Sequence, residues 1–228
     1  MELIDGQIKH QFIPTTVMSF PSIRKINVLL ENDAFTKYEA ITEVKGEYII
    51  CSDLSKIRQH TERIIKESYD RYLVFIKNYN IEKDKWIYNI IDGISEQKKI
   101  IYRDDRCIII PPYTWDSINI NNLHMLCIPI NKTLRSIRDL VSTDIPLLEH
   151  MKRVTLEQIE EKYGLKEENL KIFFHYDPST YHLHIHFINT KNTKSGSSVE
   201  YSHDLDMVIF NLKLDSDYYK KINLNKRV

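Results

Sequence analysis

The stretch His175-Tyr-Asp-Pro-Ser-Thr-Tyr-His-Leu-His-Ile-His-Phe-Ile188 sets three histidines at every second position of an apolar run. Such alternation is a strand signal, because side chains i, i+2 and i+4 of an extended chain share one face, about 6.5–7 Å apart. His182, His184 and His186 are therefore expected to project together, with Leu183, Ile185 and Phe187 facing the opposite layer. A core strand gains little from three titratable, hydrogen-bonding rings in register, so this face implies chemistry rather than packing alone.

Two chemistries use such a triplet. Neutral imidazoles can hold zinc. Alternatively, the middle imidazole attacks phosphorus to form a phosphohistidine while its neighbours orient it and donate to phosphate and leaving oxygens. The flanks favour the second. Asp177-Pro178-Ser179-Thr180 supplies a turn with two hydroxyl donors just before the run, and His175 stands near the end of the preceding apolar strand. Asp177 could ligate a metal but equally suits the turn before Pro178. Ser179 has no Asp-His relay in view, which argues against a serine hydrolase.

The pattern His-φ-His-φ-His-φ-φ, where φ is apolar, is the signature of the histidine triad (HIT) family and is matched by His182 through Ile188. The longer run from His175 resembles the scavenger mRNA decapping enzymes of that superfamily. Three further stretches are similar to theirs in order and spacing: Trp86-Ile-Tyr-Asn-Ile-Ile-Asp92, Leu134-Arg-Ser-Ile-Arg-Asp-Leu140 and Ser197-Ser-Val-Glu200. The resemblance covers about residues 86 to 214 and implies hydrolysis of the triphosphate bridge of m7GpppN, the cap fragment left by mRNA decay.

Composition agrees with a soluble intracellular enzyme. The 228 residues can bury one good core or two small ones, and 42% hydrophobic with 28% charged residues is ordinary globular usage. Lys+Arg and Asp+Glu balance at 32 each, so there is no basic field to hold long nucleic acid, and a small nucleotide ligand fits better. Cys51, Cys107 and Cys127 show no metal spacing, and no signal-like or membrane-length apolar segment is present. The cytoplasm or nucleus is the expected location, with no membrane partner.

Along the chain, Ile26 to Leu30 and Tyr38 to Cys51 read as a small sheet turning at Lys45-Gly46, followed by a helix over Leu54 to Ile76 capped by Ser52 or Asp53 and bridging to the rear part. Its charged face reads as solvated. The rear part reads as strands at 86–91, 98–102, 107–110, 123–128, 170–176, 181–188 and 207–214. One helix, from about Thr143 to Tyr163, interrupts them, capped near Ser142-Thr143-Asp144, with Pro146 in its first turn and Gly164 at its end. The expectation is an α+β protein: a HIT-like domain over 81–228 with an antiparallel sheet and packed helix, preceded by a reduced N-terminal domain and bridging helix over 1–80.

The resemblance also implies roles. His184 is the nucleophile toward the phosphate nearest methylguanosine, His182 and His186 orient it and stabilise oxygens, and His175 and Ser179 donate to the phosphates; Thr180, read from the turn itself, is a further substrate-binding hydroxyl. Trp86 stacks on the cationic base and Glu96 accepts from its edge; without the resemblance, Trp86 reads as an ordinary core aromatic and Glu96 as part of an exposed turn. No cofactor or metal is implied, and the partners are a cap dinucleotide or short capped RNA and a second copy of the chain.

Three departures bear on substrate choice. Ile110-Pro-Pro-Tyr-Thr-Trp115 stands where the family reads Ile-Pro-Asp-Leu-Lys-Trp, so Pro112 and Thr114 lack the acidic and basic contacts while Tyr113 can cover the second face of the base. Thr180 replaces a tyrosine. Tyr201 replaces the arginine after Val-Glu, with Lys191 or Lys194 as candidate substitutes. The front part is also shorter than the family's N-terminal domain, which swaps between subunits and closes over the cap. Hydrolysis of other dinucleoside polyphosphates, or cap binding with little turnover, are the alternatives.

Overall fold

The computed structural model describes residues 63–193 and 197–227 in full, together with strand backbone before residue 52. The chain divides into two compact units, 1–58 and 59–228, so residues 59–80, expected with the front part, fall in the larger unit.

The first unit holds β1 (Leu3–Ile4) paired with β2 (Gln7–Ile8), and an antiparallel meander of β3 (Lys25–Glu31), β4 (Phe35–Ile41) and β5 (Gly46–Cys51). The expected front strands therefore form. Gly46 opens β5, while Lys45, Ser52, Asp53 and Leu54 lie outside the described residues.

Of the expected bridging helix, the part before residue 63 lies outside the described residues, and the described part is only partly helical. Ile64–Glu67 is a strand, β6, pairing with the C-terminal strand, and only α1 (Tyr69–Lys77) is helical, capped by Ser68 accepting from the Arg71 amide. The long-range partner overrides the local period. There follow α2 (Lys85–Ile91), β7 (Tyr102–Arg103), β8 (Cys107–Ile110), β9 (His124–Pro129), α3 (Ile145–Tyr163), β10 (Leu170–His175), β11 (Ile185–Asn189), β12 (Ser202–Asp204), α4 (Leu205–Leu214), α5 (Tyr218–Lys221) and β13 (Leu224–Arg227). Six of these strands form one antiparallel sheet in the order β12-β10-β11-β9-β8-β7, which gives the expected α+β class.

Alternation along the strands separates two faces. Cys107, Ile109, Met125, Cys127, Ile172, Ile185 and Phe187 join one core with Leu148 and Met151 of α3 and Val208 of α4. The expected central helix is thus present, begun by a 3-10 turn at Ser142–Asp144, with Pro near its start and Gly164 in the left-handed region at its end. The other face carries Ile108, Ile110, Leu126 and Ile128, covered by Ile87, Ile90 and Ile91 of α2, and then the histidines.

Three expected strands are corrected. Residues 86–91 are helical: Ile87, Ile90 and Ile91 are buried at i, i+3 and i+4, a helical stripe within a run whose β-branched residues suggest a strand. Residues 207–214 belong to α4, whose buried Leu205, Val208, Ile209 and Leu212 repeat the same stripe. Residues 97–99 form a 3-10 turn, leaving only Tyr102–Arg103 extended. Among the described residues no helix is long and apolar enough to cross a membrane.

Candidate active site

The triad strand begins later than its alternation suggests, and β9 supplies the reason. Ile185 pairs with Cys127, so continuation of the register sets Leu183 opposite Pro129, which has no N–H to donate. The ladder stops there. The Leu183 amide donates instead to the Leu134 carbonyl at 2.9 Å, and His182 Nε2 donates to the released Pro129 carbonyl at 2.8 Å. Of the triad only His186 lies within β11; His182 lies in a bend and His184 in the irregular segment leading into the strand.

The segment Leu134 to Leu140 clamps this lead-in. Arg135 Nε donates to the Tyr181 carbonyl at 2.6 Å, and Ser136 and Asp139 cap one another across a 3-10 turn. Arg138, fully buried, donates to the carbonyls of Tyr219, Ile222 and Glu67 at 2.6–2.7 Å and lies over the Tyr176 ring. It thereby ties β6 and the C-terminal segment to the sheet.

The ring geometry fixes the central tautomer. His184 Nδ1 lies 2.7 Å from the His182 carbonyl, which can only accept, so the proton sits on Nδ1 and Nε2 keeps its lone pair. That is the form an imidazole nucleophile needs. His186 follows with its ring centroid 4.8 Å away, stacked on Phe173, and its Nδ1 meets Nε2 of His124 at 2.9 Å. If His124 donates in that pair, His186 presents an Nε2–H to the site. His182 Nδ1 and His186 Nε2 are buried without a protein partner among the described residues.

Burial depresses the basicity of every ring in this group. It pulls His182 down to about 4 and His124 to about 3, lowers His184 against the raising effect of its bond to the His182 carbonyl, and lowers His186 further through its histidine neighbours. These rings are neutral at pH 7. Their folded values lie below the value near 6.5 of an unfolded chain, which therefore takes up protons first as pH falls. Stability from these groups is complete above about pH 6.5 and is lost as pH drops toward 4. The melting temperature is accordingly expected to decline over that window, with the His182 ring still neutral by NMR at pH 5.5. A His182 resonance titrating near pH 6.5 would contradict the assignment.

Other expected residues are arranged as follows. His175, half-buried at the end of β10, has its ring 4.2 Å from that of His186 and 4.7 Å from Tyr201. Ser179 is exposed and Thr180 buried in the turn before the triad. Trp86, on α2, packs half-buried against the apolar cluster that includes Ile110, and Tyr113 follows in the turn after β8. Glu96 adopts left-handed backbone, and its carboxylate sits 3.3 Å from Lys99 Nζ. Lys191 is exposed, whereas Lys194 lies outside the described residues.

Three participants escape a reading of the sequence. His124 is a lone histidine in an apolar strand and becomes visible only when β9 pairs with β11. Tyr88 meets His182 edge-on at 5.5 Å, a contact hidden when its segment is read as a strand. Arg227 lies over Tyr201 with its guanidinium carbon 3.9 Å from the ring centroid. Asp104, Cys107 and His150 bring metal-ligand atoms within 4.8 Å, but both His150 ring nitrogens are engaged, Nε2 donating to Asp104 and Nδ1 accepting from Arg106, each at 2.6 Å.

The family model described as "Scavenger mRNA decapping enzyme C-term binding" matches residues 85–202. A Caenorhabditis elegans protein described as m7GpppX diphosphatase is 37% identical over 179 residues, 75% of this chain and 57% of that protein. An Ascaris suum protein of the same description is 34% identical over 211 residues, 86% of this chain and 70% of that protein. The chain thus spans little more than half the first relative's length. Among solved structures, "Hnt3 in complex with DNA and guanosine" aligns with 60% of this chain and 81% of that chain at a TM-score of 0.40 and 16% identity.

Proposed function

Because the chain belongs to the scavenger mRNA decapping enzyme family, we propose that it hydrolyses m7GpppN, or short capped RNA fragments, to m7GMP and a nucleoside diphosphate or 5′-diphosphate oligonucleotide. The observation that carries this reading is the His184 tautomer: an imidazole held by its Nδ1–H on the His182 carbonyl at 2.7 Å, with Nε2 free to attack. In the first step Nε2 bonds to the phosphorus nearest methylguanosine as the bridging P–O bond breaks and the diphosphate leaves. In the second step water adds to that phosphorus, the P–N bond breaks, and the imidazole is regenerated.

His186, backed by His124, and His182 serve the phosphate and leaving oxygens, with His175, Ser179 and Thr180 as further donors. Because burial keeps the rings neutral, they can act as lone-pair donors or N–H donors as their tautomers dictate. The reaction unit is a two-fold homodimer acting in the cytoplasm or nucleus. Light scattering tests the pairing: a fully active monomer at micromolar concentration removes the dimer from the mechanism.

Base selection is where this chain departs from its relatives. Trp86 packs against the apolar cluster that includes Ile110, three residues before Tyr113, and the two aromatics are proposed to sandwich the cationic base, with Glu96 released from Lys99 to accept from its edge. Truncating either aromatic to Ala should weaken binding by about 1–3 kcal/mol, the range for base stacking. Glu96→Ala should erode guanine selection more than stacking. Turnover of m7GpppG, GpppG and ApppA is the test. Pro112 and Thr114 favour the second reading, a general dinucleoside polyphosphate hydrolase, and equal wild-type rates on m7GpppG and GpppG would establish that reading instead.

A further inference from the structure

We propose that Arg227, from the C-terminal strand, supplies a positive charge that this site presents to the substrate's phosphate chain, in the place vacated where Tyr201 follows Val199-Glu200. The proposal rests on the reading of the site as a polyphosphate hydrolase. Such a substrate brings several negative charges, while the imidazole cluster is uncharged at neutral pH, so cations must come from other side chains; Arg135 and Lys132 act on the His182 side, and Arg227 approaches from the His175–His186 side.

The geometry brings one in from an unexpected element. The β13 strand ends beside the triad turn, its Arg227 amide 3.4 Å from Asp177 Oδ1, two residues before Ser179. The Arg227 guanidinium lies flat enough over Tyr201 for a contact of 3.9 Å to the ring centroid, and one nitrogen reaches Glu200 Oε1 at 2.5 Å. Tyr201 in turn touches His175, and His175 touches His186, at centroid distances of 4.7 and 4.2 Å. Two rings, Tyr201 and His175, thus lie between the guanidinium and His186. About a third of its side chain remains exposed, and a fork of five donors pinned by one carboxylate and one aromatic face retains N–H groups for phosphate oxygens. Tyr201 then acts as the platform that holds the guanidinium, so the substitution that removes an arginine at 201 also builds the seat for another. Lys191, exposed after β11, has no comparable seat among the described residues.

The test is steady-state kinetics on m7GpppG with the full chain. Arg227→Gln, which keeps a side chain able to bond Glu200 but removes the charge, and Arg227→Ala should each lower kcat/KM about ten- to hundred-fold, chiefly through KM, with Arg227→Lys less affected. Tyr201→Arg placed in the Arg227→Ala background should restore kcat/KM to within a few-fold of wild type. Arg227→Ala combined with Glu200→Gln should stay impaired. Recovery of that last variant would mean that Arg227 only neutralises Glu200 and would overturn the proposal, as would unchanged KM in folded Arg227→Gln. If the wild-type protein turns over no dinucleoside polyphosphate, the underlying reading fails and the proposal falls with it.

Discussion

Replacing His184 with Ala or Asn is expected to reduce cap turnover by several orders of magnitude, on the order of 10⁴-fold, while leaving cap binding and the melting temperature nearly unchanged. The ring carries the attacking lone pair, but it is not a member of the apolar core that packs α3 on the sheet. His182→Ala should cost less. What orients His184 is the backbone carbonyl of residue 182, which survives the substitution, so only the side chain's bond to Pro129 and its help to the phosphates are lost. Chelator should leave the rate unaltered. Near-wild-type turnover in His184→Ala, or loss with chelator that zinc restores, would replace the phosphohistidine route with a different one.

Arg138→Met should have the largest effect on stability. The substitution keeps an unbranched stem but removes a buried charge whose donors satisfy three backbone carbonyls, those of Glu67, Tyr219 and Ile222. Breaking one side of a buried charged network costs about 3–5 kcal/mol, equivalent to a fall in melting temperature of roughly 10 °C for a unit this size. Arg138→Lys should recover little, because one ammonium cannot reach three diverging carbonyls. A melting temperature within about 2 °C of wild type for Arg138→Met would show that these carbonyls find other partners at no cost.

The Arg138 network also shows which parts of the fold a local pattern can reveal. The sheet strands β8, β9 and β10 and the helix α3 carry their signals locally: short apolar strands, an N-terminal proline and a terminal glycine. The runs 86–91 and 207–214 do not. Both mix β-branched or aromatic residues with helical spacing, and packing on the sheet decides between the two periods. Ile64 and Ile65 are extended because Leu224–Arg227 pairs with them across almost the whole second unit, a partner no local window contains.

The site divides in the same way. The alternation of His182, His184 and His186 is legible in the stretch itself, although Pro129 ends the ladder before His182 and His184, whereas His175 joins His186 only through the β10–β11 pairing. His124, Tyr88 and Arg227 are not legible. His124 and Tyr88 reach the histidine cluster through the β9–β11 register and the placement of α2, and Arg227 reaches Tyr201 beside it through the β6–β13 pairing. Their sequence surroundings, an apolar strand, an apolar helix and a basic terminus, are ordinary for residues with no role in chemistry.

The most direct test of the account is the identity of the products released from m7GpppG by the wild-type chain, separated chromatographically alongside His184→Ala. Attack by His184 on the phosphorus nearest methylguanosine predicts m7GMP and GDP in equal amounts from the wild type and neither from the variant. Intact substrate after prolonged incubation with stoichiometric protein, or m7GDP with GMP in their place, would contradict it.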